Sequence, residues 1–175
     1  MRLEHWTRRD FSLQLASLCC LPGLGRLSLG AAPAATQDVF NPGISRRAEA
    51  LHEEVLFAGT PARIYEVLVE EKKFQQMTGL PTHLGGAVCS EFSLFAGRIT
   101  GRQLELVPAE RVVQVWRSES WKPHLYSLAS FVLLPQGAAT KLVFDHTGFP
   151  VGQAEHLAEG WNGHYWEPLK KYLAS

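Results

Sequence analysis

The sequence predicts an α+β domain in which a curved antiparallel sheet wraps around a long C-terminal helix, with two short helices after the first strand. Three observations predict this class. Helix-start residues follow the first strand-like segment, five further strand-like segments follow one another with brief turns between them, and an amphipathic aromatic stretch closes the chain. At 175 residues the chain has room for one ordinary domain with a buried core.

The first strand and the two short helices are predicted between residues 52 and 79. The strand is expected at 52–57. Thr60 then supplies an N-cap side chain, and Pro61 suits the first helical position, where a backbone N–H would have no helical partner. A second helix is expected over 70–77, and Gly79 ends it.

The strand-like segments that follow predict an antiparallel meander. The turns between these segments are too short for the crossover connection that parallel neighbouring strands require. Cys89 falls within the first of these segments and is expected to be a small core residue. The segments are 87–94, 98–107, 112–119, 126–134 and 140–147.

The last element is an amphipathic helix that begins near 151–154 and runs to Ala174. Its apolar residues recur every fourth position, which places them on one face, and Trp166 and Tyr172 widen that face. Pro168 is expected to bend the helix or to weaken its hydrogen bonding near that point. An apolar face of this size has to be buried, so the helix is predicted to lie on the sheet. The stripe consists of Leu157, Trp161, Tyr165, Leu169 and Leu173.

The amino terminus resembles a twin-arginine export signal. Arg8 and Arg9 precede a weakly apolar stretch, and a small-x-small pattern at 32–34 predicts cleavage after Ala34. Residues 1–35 are therefore predicted as a signal peptide, 36–43 as a linker and 44–175 as the domain, which would then work in the periplasm or outside the cell. The alternative is a start codon assigned too far upstream, which would leave a disordered tail on a cytoplasmic protein.

Membrane attachment is not expected. The apolar stretch at 11–21 is too short and too interrupted to cross a bilayer. Cys19 and Cys20 suggest a lipoprotein, but Leu18 stands where a lipid-attachment motif requires a small residue. Once the leader is removed Cys89 is the one remaining cysteine, so neither an intrachain disulfide nor a thiolate metal cluster is expected.

The charge balance gives no reason to expect a nucleic-acid partner. The chain has 17 basic and 17 acidic residues, and removal of the leader takes four of the former and two of the latter. The resulting domain is mildly acidic, whereas nucleic-acid binding and acidic membrane surfaces call for a basic patch.

Catalysis is not predicted either. None of the six histidines after the leader stands at a metal-ligand spacing, since His156 and His164 are eight residues apart rather than three or four. His146 is the best acid–base candidate, but Asp145 is its neighbour in a strand and faces the other side of the sheet. Glycine-rich phosphate loops and nucleophile elbows are absent from the sequence. We therefore predict no catalytic residue, no metal and no cofactor.

Several short motifs give the chain a family resemblance. They are VQVWR at 113–117, Trp121, YS at 126–127, TKL at 140–142, HTGFP at 146–150 and GWNGHYWEPL at 160–169. Their order and spacing over 44–173 resemble the carboxy-terminal domain of activators of the heat-shock-protein-90 ATPase, within the SRPBCC or START-like superfamily. The resemblance implies the helix-grip fold, in which a curved sheet holds a long helix.

Two functions follow from the resemblance. The first is a non-enzymatic module that holds a small hydrophobic ligand between the sheet and the C-terminal helix. The second is a protein-interaction module with co-chaperone activity, whose partner is a chaperone or another protein and whose interior is simply packed. An exported domain would not meet a cytosolic chaperone, so the compartment distinguishes the two.

The same resemblance suggests which residues line the pocket. Arg117 is expected at its rim, where a guanidinium could anchor a carboxylate, unless it faces Glu119 across a turn. His146 is expected to make a structural or ligand-facing hydrogen bond. The alternative is that the aromatic side chains fill the core and leave no pocket. The aromatic candidates are Tyr65, Phe92, Phe95, Trp116, Phe131, Phe144, Trp161 and Tyr165.

Overall fold

The computed structural model describes residues 48–175. The predicted signal peptide at 1–35 and linker at 36–43 lie outside the described residues and stay predictions. The described part of the chain consists of one antiparallel sheet, two short helices and a C-terminal helix.

The sheet has seven strands in the spatial order β1-β7-β6-β5-β4-β3-β2, and every neighbouring pair is antiparallel. Strands β3 to β7 form the meander that the sequence predicted, and the two-residue strand β2, which was not predicted, pairs with β3. Strand β1 pairs along its whole length with β7, so the first and last strands lie side by side at one edge of the sheet. The strands are β1 (Ala48–Ala58), β2 (His83–Leu84), β3 (Glu91–Leu94), β4 (Ile99–Val107), β5 (Arg111–Ser118), β6 (Ser127–Gln136) and β7 (Ala139–Pro150).

The two short helices lie between β1 and β2 and confirm the sequence prediction. Helix α1 spans Pro61–Val69, and its N-cap residue Thr60 accepts a hydrogen bond on its side-chain oxygen from the Arg63 N–H, at 3.3 Å. Helix α2 spans Glu71–Thr78 and ends at Gly79, whose φ of 69° is left-handed. Helix α1 packs on β5 and β6, whereas α2 packs on α1 and on the C-terminal helix, and both bury apolar side chains in the shared core.

The C-terminal helix has three parts: α3 (Ala154–Trp161), a π-helical turn (Asn162–Trp166) and α4 (Glu167–Leu173). In the π-helical turn the Glu167 N–H donates to the carbonyl of Asn162, five residues back. Pro168 follows at once in the first turn of α4, where its missing N–H costs least. The wider turn also lets Tyr165 and Trp166, which are neighbours in sequence, both be buried. The five residues of the predicted apolar stripe are buried as well.

One predicted strand is shorter than expected. Strand β3 begins at Glu91, because residues 87–90 form a turn in which Cys89 has a left-handed φ of 67°. The Cys89 N–H donates to the carbonyl of Gln103 at 2.7 Å while its side chain is exposed. The prediction that Cys89 is a core residue is therefore wrong, since the turn directs its side chain to solvent.

The alternation along β7 separates Asp145 from His146 as predicted. Asp145 lies on the outer face of the sheet, where its Oδ1 is 2.7 Å from Nδ1 of His52 on β1. His146 lies on the inner face and is fully buried. The carboxylate therefore does not orient the buried imidazole.

A chain of hydrogen bonds joins His146 to the C-terminal helix. The indole N–H of Trp161 donates to Nδ1 of His146 at 3.0 Å, and because an indole nitrogen only donates, Nδ1 carries no proton. Nε2 of His146 then carries the proton and donates to Oγ of Ser127 at 2.7 Å. Ser127 in turn donates to the carbonyl of Trp116 at 3.1 Å. The neutral imidazole thus links the helix to β6 and β5.

We expect Ser127→Ala to lower the free energy of unfolding by about 1–3 kcal/mol, because it leaves the buried His146 Nε2–H without an acceptor. Urea denaturation measures the change. The matched control is Ser130→Ala on the outer face of the same strand, which should change stability by no more than about 0.5 kcal/mol. Equal stability of the two variants would contradict the role given to Ser127.

A second prediction concerns pH. Burial lowers the pKa of His146 from 6.5 to about 3. Above pH 6.5 the imidazole is neutral in both the folded and unfolded chain, and its contribution to stability is complete. As the pH falls below 6.5, His146 binds a proton in the unfolded chain but stays neutral in the folded chain. The free energy of unfolding therefore falls by up to about 1.4 kcal/mol per pH unit until the pH reaches about 3.

Unfolding of the wild type and of His146→Gln between pH 7 and pH 4 tests this. Glutamine keeps a donor and an acceptor but does not titrate, so the variant should lose less stability than the wild type on acidification. Identical pH profiles for the two proteins would show that His146 does not carry the effect.

Candidate functional site: a cavity between the sheet and the C-terminal helix

A cavity of about 300 Å³ lies between β4, β5 and the C-terminal helix. Its walls are apolar and mostly aromatic, formed by Leu80, Phe95, Ile99, Trp116, Trp121, Leu157, Trp161 and Tyr165. Its mouth is polar, formed by Arg98, Ser118, Glu119, Ser120, His156 and His164. This combination of apolar walls and a few polar groups is typical of small-molecule sites.

The aromatic walls support one another. The ring centroids of Trp161 and Tyr165 lie 4.3 Å apart, and the Trp116 ring lies 5.3 Å from Trp121 and 5.7 Å from Trp161. Phe95 packs edge-on against Tyr165 at 5.4 Å. Because each ring is held by its neighbours in a favourable offset or edge-on arrangement, the cavity is formed before any ligand enters.

Gly160 keeps the helix side of the cavity open. It lies in the last turn of α3 and lines the cavity. A Cβ atom placed on Gly160 would meet nothing within 4 Å, and its backbone is helical. A side chain would therefore fit at this position, and its absence leaves space.

Two polar atoms in the walls have no hydrogen-bond partner among the described residues. They are Nε1 of Trp116 and the hydroxyl of Tyr165, and both side chains are 4% exposed. Burial raises the pKa of the Tyr165 hydroxyl, and the nearby Trp116 N–H partly opposes that rise. The Trp116 N–H therefore acts on the Tyr165 oxygen as a weak donor, and both atoms are closed to solvent.

Four of the ten residues predicted for the pocket line this cavity: Phe95, Trp116, Trp161 and Tyr165. Phe131, Phe144 and His146 lie deeper, in the core beneath Trp161, whose ring centroid is 4.3 Å from that of Phe144. Phe92 packs over Gly101 in the sheet. Tyr65 belongs to α1 and packs against the edge of the core. These five contribute to the core of the domain but not to the cavity walls.

Arg117 lies away from the cavity. Its neighbour Trp116 faces inward, so Arg117 is on the outer face of β5, where its Nη2 donates to the carbonyl of Trp121 at 2.9 Å. The arginine at the mouth is Arg98, whose Nε is 3.9 Å from Oε1 of Glu119. The place at the rim that sequence reasoning gave to Arg117, and its alternative contact with Glu119, both belong to Arg98.

Sequence reasoning also missed the polar mouth and Gly160. His156, Gly160 and His164 are spaced by four, so the helical period alone would have placed them on one face beside the apolar stripe. Residues 118–120 lie at the end of β5 and in the turn after it, and no periodic signal connects that turn with the helix.

Metal binding and membrane crossing find no support in residues 48–175. In that part of the chain no group of three or more histidine, cysteine, aspartate or glutamate side chains is arranged to hold a metal ion. Nor does any helix there have the length and apolar character needed to cross a membrane.

Known proteins show what this chain is similar to. It is 27% identical over 124 residues to mouse "Activator of 90 kDa heat shock protein ATPase homolog 2", covering 71% of this chain and 38% of that protein. It is 25% identical over 115 residues to human "Activator of 90 kDa heat shock protein ATPase homolog 1", covering 66% of this chain and 34% of that protein. The chain therefore spans about a third of the curated relatives it matches.

Solved structures share the fold. An HSP90 activator from Plasmodium falciparum superimposes with a TM-score of 0.68 at 19% identity, covering 71% of this chain and 96% of that chain. The Aha1 dimer from Colwellia psychrerythraea superimposes with a TM-score of 0.61 at 18% identity, with the same coverage of 71% and 96%. At these identities the likeness shows the helix-grip fold and nothing further.

The profile of one family matches residues 58–174, from the end of β1 to the end of α4. That range includes all the residues that line the cavity. This chain therefore belongs to the family described as "Activator of Hsp90 ATPase homolog 1-like protein".

Proposed function

We propose that the domain is a non-enzymatic binding module that holds a small apolar molecule in the cavity between the sheet and the C-terminal helix. The observation that carries the proposal is the aromatic-walled cavity itself, kept open at Gly160. A ligand that enters it loses contact with water, which is worth about 25 cal/mol for each Å² of apolar surface removed. Since the walls are already in place, little of this gain is spent on ordering the protein.

The size of the cavity limits the ligand. A volume of about 300 Å³ is at the lower end of the range for small-molecule sites, which favours a compact molecule of one or two rings over a long lipid chain. The polar mouth would keep a charged or hydroxylated end of such a molecule in contact with water.

The arrangement of the titratable groups supports a binding role over a catalytic one. His146 is closed off from the cavity and neutral, with both ring nitrogens already hydrogen-bonded. Within residues 48–175, His156 and His164 at the mouth have no hydrogen bond to a carboxylate or hydroxyl that would prepare them for acid–base catalysis.

A substitution at Gly160 tests the proposal without disturbing the fold. Gly160→Leu should fill the cavity and weaken binding of the neutral two-ring dye 1-aminonaphthalene by about tenfold or more, a change of about 1.4 kcal/mol. Leucine is also the better helix former by about 1 kcal/mol, so the variant should be at least as stable as the wild type. Dye fluorescence measures the first effect and urea denaturation the second.

The matched control is Gly163→Leu. Gly163 lies on the exposed side of the same helix and does not line the cavity, and a Cβ atom added there would also meet nothing within 4 Å. This variant should bind the dye as the wild type does. If the wild type fails to bind the dye saturably, or if Gly160→Leu binds as tightly as the wild type, the proposed function is wrong.

A second candidate is a protein-interaction module that activates a chaperone ATPase. Two observations favour it. The curated relatives described above are named as activators of a 90 kDa heat-shock-protein ATPase. In addition, the outer face of the sheet carries Leu128, which is 45% exposed, beside the partly buried Val115 on β5. An ion pair lies beside these two residues, since Arg102 is opposite Val115 on β4 and binds the carboxylate of Glu91.

Different substitutions should abolish the two candidate functions. If the outer face docks on a chaperone, the domain should raise the ATPase rate of a 90 kDa heat-shock protein, and Leu128→Glu should remove the rise. Gly160→Leu should leave the rise intact, because the cavity lies on the opposite face of the sheet. An ATPase rate that does not change at saturating domain concentration would exclude this second candidate.

A further inference from the structure

We infer that the ligand of the cavity is a compact aromatic anion, such as a carboxylate, whose charged end is bound by Arg98 at the mouth. The ring of the ligand then lies between the aromatic walls. The inference rests on the proposed binding function and adds the charge of the ligand.

The first support is that the guanidinium of Arg98 makes no hydrogen bond among residues 48–175. Its Nε lies 3.9 Å from Oε1 of Glu119, which is within the reach of an ion pair but too long for a hydrogen bond. The other arginines of that part of the chain all donate to a carboxylate or to a backbone carbonyl; they are Arg63, Arg102, Arg111 and Arg117. The donors of Arg98, whose side chain is 74% exposed, are therefore available to a ligand.

The second support is the turn that holds Arg98 at the mouth. Phe95, Ala96 and Gly97 precede it and have left-handed φ angles of 53°, 57° and 92°. A left-handed backbone is unfavourable at a residue other than glycine, so such a turn persists only where its surroundings fix it. The Glu119 N–H helps to do so by donating to the carbonyl of Arg98 at 2.8 Å. The strained turn thus places Phe95 in the wall and Arg98 at the mouth of the same cavity.

The third support is the balance of polar groups around Arg98. His156 and His164 line the helix side of the mouth without a hydrogen bond to any described residue, and each imidazole has at least one N–H to donate. The two serines of the mouth are hydrogen-bonded to each other. Glu119 is the single side chain of the mouth that can only accept. An anion at Arg98 therefore finds further donors on the helix, whereas a cation would find one carboxylate.

Two probes of nearly the same shape but different charge test the inference. The first, 2-naphthoate, carries a carboxylate near neutral pH, and the second, 2-naphthamide, carries an uncharged amide in its place. Calorimetric titration gives the dissociation constant of each probe for the wild type, Arg98→Gln and Glu119→Gln. The ratio of the two constants within one protein cancels the contribution of the naphthalene ring that the probes share. The matched control is Arg102→Gln, which removes the same charge on the outer face of the sheet, where Arg102 binds Glu91.

We expect Arg98→Gln to weaken 2-naphthoate relative to 2-naphthamide by roughly three- to tenfold, because charge-assisted hydrogen bonds are lost at a site that water still reaches. Glu119→Gln should strengthen 2-naphthoate relative to the amide, since it removes a carboxylate that competes for Arg98. Arg102→Gln should leave the ratio of the wild type unchanged.

The inference is overturned if Arg98→Gln changes the ratio no more than Arg102→Gln does. It is also overturned if 2-naphthylmethylammonium, a cation of similar shape, binds the wild type more tightly than 2-naphthoate. In both cases the proposed binding function stands as long as the wild type binds one of the probes. If no naphthalene probe binds the wild type, the proposed function fails and the inference fails with it.

Discussion

The contact between Trp161 and His146 is the interaction on which the rest of the structure depends. The indole N–H of Trp161 is directed at a buried imidazole, and that imidazole is held in one tautomer by Ser127 on the neighbouring strand. Hydrogen bonds buried in this way have a defined direction, which plain apolar packing lacks. They fix the depth and the rotation at which the C-terminal helix lies on the sheet, and the same indole ring then forms one wall of the cavity.

The helix is held more tightly on one side than on the other. Towards β1, Trp166 packs against Phe57 and its indole N–H is hydrogen-bonded to the carboxylate of Glu53. Towards β4 and β5 the helix presents Gly160, a position without a side chain. The cavity is the consequence of this asymmetry, because the sheet curves around the helix on both sides while large side chains fill the gap on only one. The π-helical turn contributes by bringing both Tyr165 and Trp166 to the buried side, one at the cavity and one at the closed side.

Local patterns in the sequence predicted the elements of the fold well. Thr60 and Pro61 mark the start of a helix by their own backbone chemistry, and the fourfold spacing from Leu157 to Leu173 indicates a buried helical face in any context. The pairing of β1 with β7 connects residues about ninety positions apart, such as His52 and Asp145. Local sequence patterns do not predict a contact over that distance. Cys89 was misplaced because a left-handed turn interrupted what reads as a continuous strand.

The candidate site was harder to predict than the fold, for a physical reason. Phe131, Phe144, Trp116 and Trp161 look alike in sequence, since a core and a cavity wall both need large apolar side chains at inward positions. What separates them is the space left by a missing side chain at Gly160, which depends on how the helix packs. Arg98 and Arg117 have the same side chain but different places in the fold. Arg98 ends the turn before β4 and reaches the mouth, whereas Arg117 lies on β5 and faces the outer side of the sheet.

Indole N–H resonances offer the most direct measurement of whether the cavity binds an apolar molecule. Three tryptophans of the described chain, Trp116, Trp121 and Trp161, line the cavity, while Trp166 is buried away from it and serves as an internal reference. In a nitrogen-15 correlation spectrum, titration with naphthalene should shift the indole signals of the first three in a saturable way and leave that of Trp166 in place. Signals that do not move, or that all move to the same extent, would contradict an open binding cavity at this site.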